Sequence, residues 1–275
     1  MKPELKRLQI ERATIADDEY TQSKTIRVLQ SGHLGDLLYS MPWVKRASEV
    51  NNAKVVFNVG FNEVSGTPNH PSGRFCINDN TYNYIKPLLE YQSYISKVQK
   101  HDHQLVDYNF DQFRRMGLNL AAGDLKRNHG YVYPELQHDL SAPCIQAPTN
   151  KQYKNIIVIN LTDRYRNPKV DYRVLGNYHI VFVGLDHEYD NFCQKYYLKP
   201  ELIIIENALQ MATILNSCKL FIGNQSSTFA IAECLKINRM LEVYTPCPNV
   251  MPMGANGYDY INQHGLETLL KKLTK

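Results

Sequence analysis

The chain has 275 residues, 43% of them apolar and 21% charged, with a formal net charge of +4. That length supports one large domain or two of ordinary size, with a substantial core. The mild basicity, with no long run of like charge, argues against a nucleic-acid binder and suits a small anionic ligand.

The opening "MKPELKRLQIERATIADDEY" holds no apolar segment of signal-peptide type. No window reaches the roughly 20 apolar residues that a membrane span needs. The expectation is a cytoplasmic protein, with peripheral membrane contact left open. Cys76, Cys144, Cys193, Cys218, Cys234 and Cys247 form no CxxC pair. They read as reduced thiols, not disulfides or a zinc site, and no metal is expected.

In "TIRVLQSGHLGDLLYSMPWVKRASE", residues 26–29 read as a strand. Gly32 and Gly35 bracket a loop, and Asp36 begins an amphipathic helix with Leu37, Leu38, Met41 and Val44 on one face. Pro42 is expected to kink that helix. "KVVFNVG" is the next strand, "TYNYIKPLLEYQ" a helix containing Pro87, and "SYISKVQKH" a short strand. Residues 61–80 are rich in Gly, Pro and Asn, and a loop of that length is usually functional or mobile. Residues 111–137 read as weakly helical. Pro143 and Pro148 punctuate a stretch without apolar periodicity, which places a domain boundary there. The predicted domains are residues 1–145 and 146–275.

The second half is more regular. "IIVIN", "HIVFVG", "ELIIIE", "LFIG" and "RMLEVY" read as strands, and most are continuous apolar runs suited to burial on both faces. "DHEYDNFCQKYY", "NALQMATILNSC" and "SSTFAIAECLK" read as the helices between them, with Asn207 as an N-cap. This alternation predicts an α/β fold with a parallel sheet covered on both faces. "GLETLLKKLTK" is the terminal helix, for which packing back on the N-terminal domain is considered.

Open parallel sheets bind ligands at the carboxyl ends of their strands. That rule singles out residues 31–36, 161–167, 184–187 and 223–228. In "SGHLGD", Gly32 and Gly35 allow close backbone approach. Asp36 suits either a general base or a helix cap, and His33 either acid–base work or a solvated loop position. Arg164 and Arg166, just past a strand, suit a diphosphate or a solvated surface loop, with Asn160 and Thr162 as neighbouring donors. Gly223, Asn224, Gln225, Ser226 and Ser227 join a helix N-terminus to polar donors, an arrangement that favours phosphate. Glu233 reads as facing the cleft or solvated. Asn256, Tyr258 and Asp259 lie in a late loop that reads as a ligand contact or a structured crossover.

"SGHLGDLLYSMPWVKRASE", "LLEYQSYISKV", "VDYNFDQFRR" and "ALQMATILNSCKLFIGNQSSTFAIAECLKINRMLEVY", in that order, resemble the family 9 glycosyltransferases of the lipopolysaccharide heptosyltransferase group. The resemblance implies a GT-B architecture of two Rossmann-like domains facing across a cleft. It implies a metal-independent, inverting transfer of a sugar from a nucleotide diphosphate donor to a hydroxyl acceptor on a glycan or lipid-linked molecule. The nucleotide sugar would be a substrate, with no cofactor. The family's base falls on Asp36 and its phosphate loop on residues 162–166. Where the family has Asp-Thr/Ser-Gly and then His, this chain has Asn224, Gln225, Ser226 and Phe229. That departure motivates two alternatives, a non-catalytic nucleotide- or sugar-binding protein on the same scaffold and a sugar-nucleotide epimerase.

Overall fold

The structure, a computed structural model, describes residues 24–61 and 75–275. The first 23 residues and most of the predicted 61–80 loop lie outside the described residues. In the first half, β1 (Thr25–Gln30), β2 (Lys54–Val59), β3 (Ile95–Lys100) and β4 (Tyr108–Asn109) form a parallel sheet in the order β3-β2-β1-β4. Three helices accompany it, α1 (Leu34–Asn51), α2 (Asp79–Glu90) and α3 (Leu125–Val132). The two-residue β4 is too short to show an apolar alternation in the sequence. The stretch read as weakly helical divides into a 3-10 turn at Phe110–Arg115, a loop, α3 and a second short turn.

The second half holds a six-stranded parallel sheet in the order β10-β9-β8-β5-β6-β7. Its strands are β5 (Ile157–Asn160), β6 (Ile180–Val183), β7 (Glu201–Ile203), β8 (Leu220–Gly223), β9 (Arg239–Glu242) and β10 (Gly257–Tyr260). The helices are α4 (Asp186–Tyr196), α5 (Ala208–Ser217), α6 (Ser227–Leu235) and α7 (Gln263–Leu273). Asn207 caps α5, its side chain accepting the Gln210 N–H at 3.0 Å. The late loop yields β10, an edge strand paired to β9. Tyr258 and Asp259 stand on that edge, and neither Asn256, Tyr258 nor Asp259 lines the cavities described below.

Each sheet has one point where the strand order reverses. In the first it lies between β1 and β4, and in the second between β5 and β8. A crevice opens at the carboxyl ends of strands at such a point. The two halves turn these reversal points toward one another.

What joins the halves is mainly α1 packed on α6. Leu37, Leu38, Met41 and Val44 are fully buried in a core that also includes Phe229, Ala230 and Ile231. Burial of each such large side chain is worth about 1.5–3 kcal/mol. Pro42 does not break α1, which runs on to Asn51. A proline cannot donate to the carbonyl four residues back, here Leu38. The Cys234 thiol of α6 lies 3.2 Å from that oxygen and donates instead.

Residues 245–253 add a strap between the halves. Leu125 N–H donates to the Asn249 carbonyl at 2.9 Å, and the Asn249 side-chain amide to the Leu120 carbonyl at 2.7 Å. Beneath it, Glu233 is neither solvated nor on the cleft. It is 1% exposed and pairs with Arg239 at 2.6 Å, Lys236 at 2.6 Å and Lys126 of the other half at 3.4 Å. Burial works against its ionisation, yet these three cations hold its carboxyl below the usual carboxylate range. The terminal helix α7 sits on its own half, with Leu266 and Leu270 buried among Ile157, Leu220, Met240 and Tyr260. It does not take the alternative placement on the N-terminal domain. All six cysteines are free thiols.

Candidate active site

α1 begins at the carboxyl end of β1, so its first turn faces the crevice. His33 is the N-cap, and Asp36 Oδ2 accepts the His33 N–H at 3.2 Å. Asp36 therefore does serve its helix terminus, though from the third helical position and not as the cap. The same oxygen meets Arg114 Nη2 at 2.7 Å. Arg114 Nη1 reaches Asp111 at 2.8 Å, and Asp111 in turn accepts the Ser31 N–H at 3.0 Å. One guanidinium thus bridges two carboxylates, one from each side of the β1/β4 reversal. Gly32 is required by this pair, since a Cβ there would lie 2.2 Å from Arg114 Nη2 and 2.6 Å from Asp36 Oδ2. Around Gly35 there is open space, and it lines the crevice. Burial pushes the His33 imidazole below its ordinary range against the pull of Asp36, and Arg164 and Arg114 push the same way. His33 is therefore neutral near pH 7.

On the opposite wall, the loops after β5 and β8 are bound together by Asn224. Its amide oxygen accepts the Thr162 N–H at 3.0 Å, and its nitrogen donates to the Thr162 and Arg164 carbonyls at 3.0 and 2.6 Å. Asn224 is fully buried. It is a bracket for the loop and not a ligand contact. The bracket secures Tyr165 in the left-handed region, at φ +53°, a conformation costly for a side chain of its size. The loop thereby holds Arg164 over the crevice.

Arg166 is turned away. Its Nε meets the fully buried Glu242 at 3.2 Å, and Nη2 donates to the Tyr196 hydroxyl at 3.0 Å. A buried carboxylate requires a countercharge, and Arg166 supplies it, so the expected phosphate contact is corrected to a core ion pair. Gly223 also stays out of the crevice. A Cβ there would press on the Phe221 ring at 2.7 Å and the Asn160 carbonyl at 3.2 Å, so its role is strand spacing. Ser226 caps α6. Its hydroxyl accepts the Phe229 N–H at 3.1 Å and donates to Asn160 Oδ1 at 2.9 Å. That leaves the Ser227 hydroxyl and the Ser227 and Thr228 N–H groups of α6 as donors toward the crevice. Phe229 is fully buried against Phe221, with ring centroids 6.3 Å apart.

Two chambers result. The first, of about 320 Å³, is lined by Asp36, His33, Arg114, Tyr39 and Gln225, with apolar walls. The second, of about 450 Å³, runs from Asn160 and Thr162 past Glu188 to Ile204, Ile205 and Met211. Leu34, Arg164, Ser226 and Ser227 line both. Asp36, His33, Gly35, Thr162, Arg164, Gln225, Ser226 and Ser227 are thus brought together, while Arg166, Gly223 and Asn224 act behind the walls. Sequence reasoning missed Arg114, Tyr39 and the Ile204–Met211 end. Arg114 lies 78 positions from Asp36, and no local pattern links the two. Among the described residues, no group of three or more His, Cys, Asp or Glu side chains is placed to hold a metal ion, and no helix is long and apolar enough to cross a membrane.

The chain matches no protein-family model and no curated protein sequence. It is similar to solved structures. A family 9 glycosyl transferase from Veillonella parvula is 12% identical, covering 92% of this chain and 89% of that one, with a TM-score of 0.55. The Escherichia coli heptosyltransferase WaaC, solved with ADP, is 8% identical over 90% of this chain and 99% of its own, with a TM-score of 0.58. The E. coli ADP-heptose lipopolysaccharide heptosyltransferase II is 13% identical over 91% and 98%, with a TM-score of 0.56. Nearly the whole length of each is matched, in both halves. The chain has a divergent form of the GT-B fold of family 9 glycosyltransferase structures, two Rossmann-like α/β domains facing across a cleft.

Proposed function

We propose that this protein is a glycosyltransferase that moves a sugar from a nucleotide diphosphate donor to a hydroxyl acceptor, inverting the anomeric carbon without a metal. The observation that carries the reading is the meeting of the two chambers at Arg164, Ser226 and Ser227. A diphosphate seated there lies between a guanidinium and the N-terminus of α6, both of which favour negative charge. Among the described residues, no carboxylate pairs with Arg164, so its charge is available. The base and ribose extend along the second chamber toward Ile204, Ile205 and Met211. The acceptor enters the first chamber, where Asp36 takes the proton of its hydroxyl as the oxygen attacks the anomeric carbon. The bond from that carbon to the diphosphate breaks, and Arg164 with the helix terminus stabilises the departing charge. Glycan or lipid-linked acceptors, lipopolysaccharide-related ones included, fit this reading, as does a cytoplasmic site of action.

The Asp36–Arg114 ion pair bears on the mechanism by fixing the direction of the carboxylate. Removing that charge is the test. Asp36→Asn is expected to lower donor turnover at least 100-fold, within the usual worth of a general base, while nucleoside diphosphate binding measured by calorimetry persists. Unchanged turnover would remove Asp36 from the chemistry. A non-catalytic binding protein is the second reading, favoured by Asn224 acting as a bracket. It predicts donor binding with no turnover in the wild type.

A further inference from the structure

We propose that the second chamber is completed from the opposite half by Tyr84 of α2, whose hydroxyl donates a hydrogen bond to the nucleoside of the donor. The inference rests on the transferase reading in taking the occupant of that chamber to be a nucleoside, but the binding it describes does not require turnover.

Among the described residues, Leu34 and Tyr84 are what the first half contributes to this chamber, and the rest of its wall belongs to the second half. α2 brings Tyr84 there because it packs on α5, which supplies Met211 to the same wall. Thr81 and Tyr84 stand three positions apart on α2, so they share a face. Thr81 lines the first chamber and Tyr84 only the second, so that face of α2 follows the crevice past the junction. Tyr84 thus lies beyond the diphosphate, beside the nucleoside.

The second half spends most of its side-chain donors within the protein. Asn160 Nδ2 donates to the Val183 carbonyl at 2.7 Å, the Thr162 hydroxyl to the Arg164 carbonyl at 3.2 Å, and the Ser226 hydroxyl to Asn160 Oδ1 at 2.9 Å. Arg164 and Ser227 serve the junction, and the far end, at Ile204, Ile205 and Met211, is apolar. What remains is the Thr228 hydroxyl, next in sequence to Ser227, and the Tyr84 hydroxyl from across the crevice. Tyr84 is half-buried, and its hydroxyl makes no hydrogen bond with a described residue. Unlike the Tyr39 hydroxyl, it is not sealed within the protein. Burial raises the phenol well above its ordinary range, so it stays protonated and donates. The ring nitrogens and carbonyls of a base and the oxygens of a ribose are the acceptors that a nucleoside presents to it.

The test uses the full chain, with ADP, UDP and GDP as probes. Isothermal titration measures their binding to wild type and to Tyr84→Phe, which keeps the ring and removes the hydroxyl alone. Melting temperatures of both proteins are recorded without nucleotide. At least one of the three is expected to bind the wild type, with a dissociation constant about threefold to tenfold higher in the variant, the worth of one hydrogen bond. The variant should melt at the wild-type temperature, since the hydroxyl holds nothing within the protein. Equal affinity in the two proteins would overturn the inference and leave the transferase reading standing. A variant that melts several degrees lower would overturn it as well, because the hydroxyl would then serve the fold. Failure of all three to bind the wild type would remove the donor site itself, and this inference with it.

Discussion

At the scale of single residues, the chemistry is set by which charges are already committed. Arg164 and Arg166 stand two positions apart, yet one faces the crevice and the other neutralises Glu242. The sequence could not separate them, because the deciding partner is 76 positions away. Asp36 was legible as a candidate because its position after a strand and a Gly-rich turn is local. The Arg114 that orients it was not.

His129 sits behind the same wall, its ring 4.5 Å from that of Phe113. Burial pushes its imidazole down to about 4. In the unfolded chain a histidine titrates near 6.5. Between those values the unfolded state takes up a proton that the folded state refuses, so folding stability declines as pH falls through that window. Above pH 6.5 the contribution is complete and constant. Denaturant titrations at pH 7 and pH 4.5 should show a loss from this group on the order of 2–3 kcal/mol. In His129→Gln that component should vanish, whatever the variant's stability at pH 7. An identical pH slope in both proteins would contradict the assignment.

At the scale of elements, the loop after β5 and the turn after β8 behave as one unit because Asn224 ties them. The bracket depends on an amide. Its oxygen accepts the Thr162 N–H and hydroxyl while its nitrogen serves the Thr162, Arg164 and Tyr165 carbonyls. Asn224→Asp would set a carboxylate against the Thr162 and Arg164 carbonyls. We expect a destabilisation of about 2–4 kcal/mol, the range for a buried polar contact turned repulsive, with weakened nucleoside diphosphate binding as the Arg164 loop relaxes. Chemical denaturation checks the first part, and a neutral or stabilising effect would show that the bracket is dispensable.

Most strands and helices of the second half were legible from their apolar runs and caps, since those signals are local. The strands that were not legible, β4 in the first half and β10 in the second, are edge strands with little apolar content, and they exist because a neighbouring strand offers its backbone. The weakly helical reading of residues 111–137 failed for a related reason. Their short turns and α3 are fixed by contacts with α1, such as the Trp43 indole N–H on the Lys126 carbonyl at 2.6 Å, and not by their own periodicity.

At the scale of the whole molecule, the halves share one core and a buried cluster of charges. α1 lies directly on α6, and Lys126 reaches across to Glu233. Such halves should unfold together. Lys126→Met leaves Asp124 and Glu233 short of one cation in a dry setting, and breaking a pair of that kind costs about 3 kcal/mol. Calorimetry should show one thermal transition in both proteins, shifted down as a whole by roughly 5–10 °C in the variant. Two separated transitions, with only one displaced, would mean that the halves are independent.

The account depends most on a diphosphate lodging where the chambers join. Isothermal titration of ADP, UDP and GDP into wild type and Arg164→Met measures that directly. One or more of the three should bind the wild type, with affinity reduced at least tenfold in the variant, as expected for a charge-assisted contact. If none binds, or if the variant binds as tightly as the wild type, the junction is not a diphosphate site and the proposed transfer has no donor.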